Sequence, residues 1–236
     1  MPKELTAEEV QSFRQRLCES FTKLFAERGY SAVTMRALAE DIGCSPMTPY
    51  RYFKDKDEIL AAARAGGFRR LSERLDSVVD AGPQSPAERA ELAAQAFLSF
   101  ARDEPSTYRL MYTNLQPETA HHPDLEVEIS RARRSLARLA EIVPQIRSSG
   151  IQPAAVAQAY WAALHGVIQL HLNDSFDPET KFEEIVAVLL GILLEGGRAI
   201  FQIDEPVRRY TPLPGQGENP GQPQSGEKTD DAEKRQ

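Results

Sequence analysis

Large apolar residues in this chain recur every three or four positions and almost never every two. That spacing allows helices and leaves no strand to build a sheet from. Val10, Phe13, Leu17, Phe21 and Leu24 fall on one face of a helix of roughly residues 6–28, which Gly29 ends. Thr34 caps a short helix over about 35–42 with Met35, Leu38, Ala39 and Ile42 inward, and Gly43 stops it. Ser45 caps a third short helix with Pro46 at its first position. Asp55 caps a fourth, with Glu58 three residues on completing an aspartate form of the capping box. Ile59, Ala63, Leu71, Leu75 and Val78 carry its stripe to about residue 80.

Gly82-Pro83 breaks the chain, and Ser85-Pro86-Ala87-Glu88 restarts it with a capping box and a proline at the first helical position. Further helices are expected before Pro105, over about 106–115 and over 124–147, with Pro117–Pro123 as a loop. Another begins at Pro153, and a last one runs from Asp177-Pro178 to about Ile203. The expected fold class is all-α, with no internal repeat. Residues 206–236 hold 5 Pro and 4 Gly and few large apolar groups, so that tail is expected to stay disordered.

Charge narrows the possible partners. The 236 residues carry 28 Lys+Arg against 35 Asp+Glu, a net charge of -7, which excludes a protein coated in basic residues. Any contact with nucleic acid must be local. Two cysteines support neither a disulfide framework nor a multi-cysteine zinc site. Met1-Pro2-Lys3-Glu4 does not open like a signal peptide, and a reducing cytoplasm is the expected compartment. Residues 153–173 lack charge over about a membrane span, but Gln158, His165, Gln169, His171 and Asn173 would be costly in lipid. A buried helix in a soluble protein, without membrane contact, is expected.

The window Thr34–Leu60 carries the chemistry. Two short helices flank a tight turn at Gly43-Cys44-Ser45, the arrangement by which a helix-turn-helix lays its second helix in the major groove. The hydroxyls of Ser45, Thr48, Tyr50 and Tyr52 can donate to phosphate oxygens without adding positive charge. Arg51 offers a bidentate fork to guanine or a clamp on phosphate, and Met47 and the Thr48 methyl can touch a thymine methyl. Lys56 sits at a helix N-terminus, which also favours an anion. Phe53 is expected in the core. Residues 1–60 hold 9 basic and 10 acidic groups, so Glu8, Glu9, Glu19, Glu40 and Asp41 must face away from DNA.

This window resembles the TetR family of bacterial transcriptional regulators. The resemblance rests on Gly43, Ser45, Thr48, Tyr50, Tyr52, Phe53, Lys56, Ile59 and Leu60. It implies a homodimer whose N-terminal three-helix heads (residues 1–65) bind an inverted-repeat operator. The helix of about 55–80 would connect each head to a ligand-binding and dimerisation domain over 66–205, where a small-molecule effector relieves repression. It also implies DNA contacts at Thr34, Arg36, Ser45, Thr48, Tyr50, Tyr52 and Lys56. Pro49 departs from the leucine common in the family and bears on the path of the recognition helix. Trp161-Ala162-Ala163-Leu164-His165-Gly166 is similar to a Trp-x-x-x-His-Gly element of one subgroup.

The last two helices are apolar nearly all round and therefore need covering on every side. A two-fold contact of four helices, two from each chain, is the expected solution, with Gly191, Gly196 and Gly197 allowing close approach. Phe97, Phe100, Tyr108, Met111, Tyr112 and Trp161 are candidate walls of an effector pocket, with His165 as its polar point. Taken singly, each reads first as ordinary core, and His165 as a buried histidine hydrogen-bonded to a neighbour rather than a ligand contact. Neither a metal at His121, His122 and Asp124 nor a cofactor is expected, and Arg131, Arg133, Arg134 and Arg138 read as a solvated face. Gly66-Gly67 suggests a flexible joint. No nucleophile–base pair, metal-binding carboxylate set or phosphate loop points to an enzyme. The alternative is an all-helical small-molecule-binding protein or enzyme without a DNA function.

Overall fold

The computed structural model describes residues 6–81, 85–113, 122–141 and 151–200, and the described residues are helical with no strand. The helices are α1 (Ala7–Arg28), α2 (Met35–Asp41), α3 (Lys56–Asp80), α4 (Pro86–Asp103), α5 (Pro105–Tyr112), α6 (Pro123–Glu141), α7 (Pro153–Leu172) and α8 (Phe182–Ile200). Their starts follow local hydrogen-bond chemistry. Thr34 Oγ1 accepts from Ala37 N at 3.1 Å, and Ser85 and Glu88 exchange the two bonds of a capping box. Gly29 and Gly43 take φ of +75° and +72° where α1 and the α2 turn end, a backbone that favours glycine.

Three expectations are corrected by the local chemistry. Asp55 Oδ1 accepts from Asp57 N and Glu58 N, but the Glu58 carboxylate reaches Lys54 N at 2.6 Å, so the box closes one residue early. Asp177 organises a turn, accepting from Glu179 N on its side chain and Thr180 N on its carbonyl, and α8 begins only at Phe182. The third helix of the head is not an α-helix. Thr48 N donates to Ser45 O, Arg51 N to Thr48 O and Tyr52 N to Pro49 O, an i→i−3 winding with a 3-10 helix at Pro49–Arg51. Pro49 has no amide to give Ser45 O the α-helical bond, and its ring is buried in the turn. The 206–236 tail, His121 and residues 142–150 lie outside the described residues.

The core comes as two clusters that meet within α3. Leu17, Phe21, Leu24, Val33, Met35, Leu38, Phe53, Ile59, Leu60 and Ala63 pack with Leu110 in one. Ala65, Phe68, Leu71, Leu75, Phe97, Phe100, Tyr108, Met111, Leu125, Leu164 and Ile168 form the other. The short helix α5 feeds both. Arg64 donates from Nε and Nη2 to Met111 O at 3.2 and 2.9 Å, holding the last turn of α5 against α3. Arg70 forks onto Glu104 at 2.7–3.2 Å at its other end. Arg131 and Arg138 are not a free face: both reach Asp76 on α3, at 3.5 and 3.3 Å, fixing α6 along the connector.

The glycine pair sits inside the unbroken α3, and its two members differ. A Cβ on Gly67 would lie 2.6 Å from Met111 Sδ and 2.9 Å from Thr107 Cγ2, so the close approach of α5 accounts for this glycine without a joint. A Cβ on Gly66 would meet only Arg70 Nη1 and Arg69 Nη2, at 3.4 and 3.9 Å. Gly66→Ala is therefore expected to stabilise the protein by about 0.5–1 kcal/mol through helix propensity. Gly67→Ala is expected to destabilise it by roughly 1–3 kcal/mol through overpacking. Urea midpoints of the two variants would separate in opposite directions from wild type.

Candidate nucleic-acid interface

The head presents its polar segment by burying what flanks it. Phe53, Pro49, Met35 and Leu38 point into the core, so the residues between them are forced outward. Met47 is 69% exposed and Tyr50 51%, the large apolar side chains that the head leaves in water. Ser45 and Arg51 are exposed beside them, and Thr48 is half-buried. On α2, Thr34 is spent as the N-cap, while Arg36 is exposed and pairs with Glu40 at 2.9 Å. Asp41 turns to α1, accepting from Lys23 Nζ and Ser20 Oγ at 2.7 Å each. Those bonds, Lys23 first, hold its carboxyl below the ordinary range.

Tyr52 and Lys56 carry structural duties as well. The Tyr52 ring stacks on Phe13 with centroids 4.3 Å apart. Lys56 Nζ lies 4.0 Å over the Tyr30 ring and donates to the carbonyls of Tyr30 and Val33 at 3.4 and 3.3 Å. An ammonium has three hydrogens, so one remains for a phosphate. Two arginines of α1 were invisible in the sequence. Arg14 donates to Tyr52 O and lies 3.8 Å over the Phe53 ring, pinning the end of the exposed segment. Arg16 donates to Ile42 O at 3.1 Å, fixing its beginning. Their spacing on a polar face carried no signal, because both act on backbone carbonyls far along the chain.

The second set of candidate residues converges around α5 and α7. Tyr108 Oη lies 2.7 Å from His165 Nδ1, and Trp161 Nε1 donates to Tyr112 Oη at 3.4 Å. Trp161 stacks on His165 at 5.3 Å, and Tyr112 lies 4.3 Å from the imidazole. Phe97 and Phe100 flank Tyr108 at 5.9 and 6.5 Å, and Met111 is buried against Gly67. Burial pushes the Tyr112 hydroxyl up to about 12 and raises that of Tyr108 further. Burial also lowers the His165 pKa.

A histidine whose native pKa is depressed favours the fold above its unfolded value of about 6.5 and loses that contribution as pH falls through the window below it. The stability advantage of wild type over His165→Gln, read as urea midpoints, should shrink on going from about pH 7.5 to about pH 5. Burial drives the Cys18 thiol up to about 12, so it stays protonated and inert. Among the described residues no group of three or more His, Cys, Asp and Glu gathers as a metal site, and no helix is long and apolar enough to cross a membrane.

α7 and α8 leave an apolar face open on the single chain. Leu170 is 46% exposed, Val188 62% and Ile192 63%, with Ala155, Ala159, Ala162 and Gly191 also exposed. Tyr160 Oη donates to Leu193 O at 2.6 Å and binds the two helices to each other.

Comparison with known proteins agrees with this geometry. An uncharacterised helix-turn-helix-type transcriptional regulator of Mycobacterium tuberculosis is 28% identical over 113 residues, covering 48% of this chain and 55% of that protein. The helix-turn-helix-type transcriptional repressor KstR of Mycolicibacterium smegmatis is 34% identical over 79 residues, covering 34% of this chain and 39% of KstR. The chain thus matches about half the length, or less, of these curated relatives. A solved regulator of the TetR/AcrR family from Thermobifida fusca shares the fold with a TM-score of 0.58 and 24% identity, over 78% of this chain and 98% of that one. Residues 90–192 match the tetracyclin repressor-like C-terminal domain. Residues 22–63 match the bacterial regulatory proteins of the tetR family. With its exposed reading segment at one end and a repressor-like domain at the other, the chain belongs to the TetR family of bacterial transcriptional regulators.

Proposed function

We propose that the protein is a ligand-responsive repressor that binds an inverted-repeat operator in the cytoplasm as a homodimer. The observation that carries this is the exposed set Ser45, Met47, Tyr50 and Arg51, on a segment whose two ends Arg14 and Arg16 tie to the packed head. Residues 1–65 act as the reading head, and α3 links it to the domain over 66–205. Met47, Thr48, Tyr50 and Arg51 meet base edges and phosphates. Thr34, Arg36, Ser45, Tyr52 and the spare hydrogen of Lys56 fix the head on the backbone. Two heads reading successive major grooves sit about 34–36 Å apart or somewhat more. The effector binds among Phe97, Phe100, Tyr108, Met111, Tyr112, Trp161 and His165, favouring a dimer spacing that does not fit DNA.

Arg51 has no partner among the described residues and is free to commit to DNA. Arg51→Ala is expected to relax base preference at one position per half-site, at about 1–3 kcal/mol. Lys56→Ala is expected to weaken binding to all sequences and to lower the salt slope by about 1 per head. Selection of an operator from a random DNA library, followed by gel shifts at several salt concentrations, checks both. A failure to select any sequence favours the non-DNA alternative.

A further inference from the structure

We infer that the reading segment recognises thymine by its methyl group, with Met47 and the ring of Tyr50 as the pair that seats it. This rests on the proposed placement of the segment in the major groove and names the base chemistry it takes there.

The winding of the segment sorts its side chains. Thr48 N donates to Ser45 O and Arg51 N to Thr48 O, so the backbone closes i→i−3 turns on both sides of Thr48. Such winding brings residues three apart to the same side. Pro49 and Tyr52 share the inner side: Pro49 is buried, and the Tyr52 ring stacks on Phe13. Ser45, Thr48 and Arg51 share a polar side. Met47 and Tyr50 share the third, and both stand in water, at 69% and 51% exposure. The exposed Ser45 and Arg51 flank this apolar pair, so it lies within the surface that meets DNA.

A base edge decides what the pair can touch. In the major groove the bases present hydrogen-bond donors and acceptors, and thymine adds a methyl group. A thioether and a ring face leave donors and acceptors unpaired, whereas they cover a methyl. Charge does not supply the discrimination instead. Among the described cations of the head, Arg14, Arg16 and Arg64 donate to backbone carbonyls. Lys23 and Arg36 pair with Asp41 and Glu40, and Arg28 lies 3.8 Å from Glu27. Lys56 spends two of its three hydrogens on Tyr30 and Val33. Arg51 and Lys54 remain, and of these Arg51 lies in the segment. One fork reads one base, and the rest of the reading falls to the apolar pair.

Deoxyuridine is thymidine without the methyl and keeps every hydrogen-bonding group, so it isolates the contact. The test selects an operator from a random DNA library with the full-length protein. Each thymine is then replaced by uracil in turn, at the matching position of both half-sites. At the contacted position wild type is expected to lose about fourfold in affinity per half-site, the worth of one buried methyl, or about fifteenfold for the pair. Met47→Ala combined with Tyr50→Ala should bind the thymine and uracil operators alike. Met47→Leu, which keeps the apolar bulk, should keep the loss. Both side chains are exposed, so the packed head is expected to survive, and an unchanged urea midpoint checks it. Three results overturn the inference and leave the DNA-binding regulator standing. They are half-sites without thymine, uracil tolerated at every thymine, and a uracil penalty as large in the double variant as in wild type. Selection of no sequence at all rejects the placement of the segment on DNA, and the inference with it.

Discussion

Glutamate in place of both Val188 and Ile192 is expected to convert the protein to monomers and to lower operator affinity by about two orders of magnitude or more. Both side chains are more than half exposed on α8, beside the alanine-rich face of α7 and Leu170. In a two-fold contact each position faces a symmetry-related apolar surface, so the double variant buries four carboxylates without partners. Loss of the dimer uncouples the two heads. A second head then binds from solution rather than at the roughly millimolar effective concentration a physical link provides. Each monomer keeps both of its core clusters, since neither side chain belongs to them. Sedimentation should therefore show a folded species of half the mass, and gel shifts should show weak half-site binding. A double variant that stays dimeric would place the two-fold contact elsewhere.

What could be read from the sequence, and what could not, divides by the range of the interactions. Caps are local, and Thr34, Asp55 and Ser85 all sit where hydroxyl and carboxylate spacing put them. Faces are nearly local, so Leu17, Phe21 and Leu24 turn inward together as their spacing requires. The recognition segment mixed the two scales. Its exposed chemistry at Met47, Tyr50 and Arg51 was legible, but two prolines three residues apart replaced the expected α-helix with i→i−3 winding. Long-range contacts left no trace. Nothing in the spacing of Arg14, Arg16 or Arg64 announces that each will satisfy a distant carbonyl. Gly67 read as a joint because propensity describes only its own helix, whereas its reason is a methionine and a threonine on another one.

Leu110→Ala is expected to cost about 2–5 kcal/mol of stability, more than any single exposed change in the chain. Leu110 has no exposed surface, and it belongs to the cluster of Leu17, Phe21, Phe53 and Ile59 in the head. Yet it projects from α5, whose Tyr108 and Met111 lie in the other cluster with Phe97 and Phe100. Eight residues therefore carry a plug for the head on one side and part of the proposed effector cluster on the other. Under the proposed mechanism a shift of Tyr108 on effector binding carries Leu110 with it, because both sit on this short helix, whose last turn is clamped to Arg64. Alanine at 110 leaves a cavity in the head and removes that lever. Urea unfolding should show the lost stability, against a Val127→Ala control on the exposed face of α6 that stays within about 0.5 kcal/mol of wild type. At temperatures where the variant is folded, effector should still quench Trp161 while releasing the operator less completely. A variant that loses stability but keeps full release would show that the signal reaches the head through α3 alone.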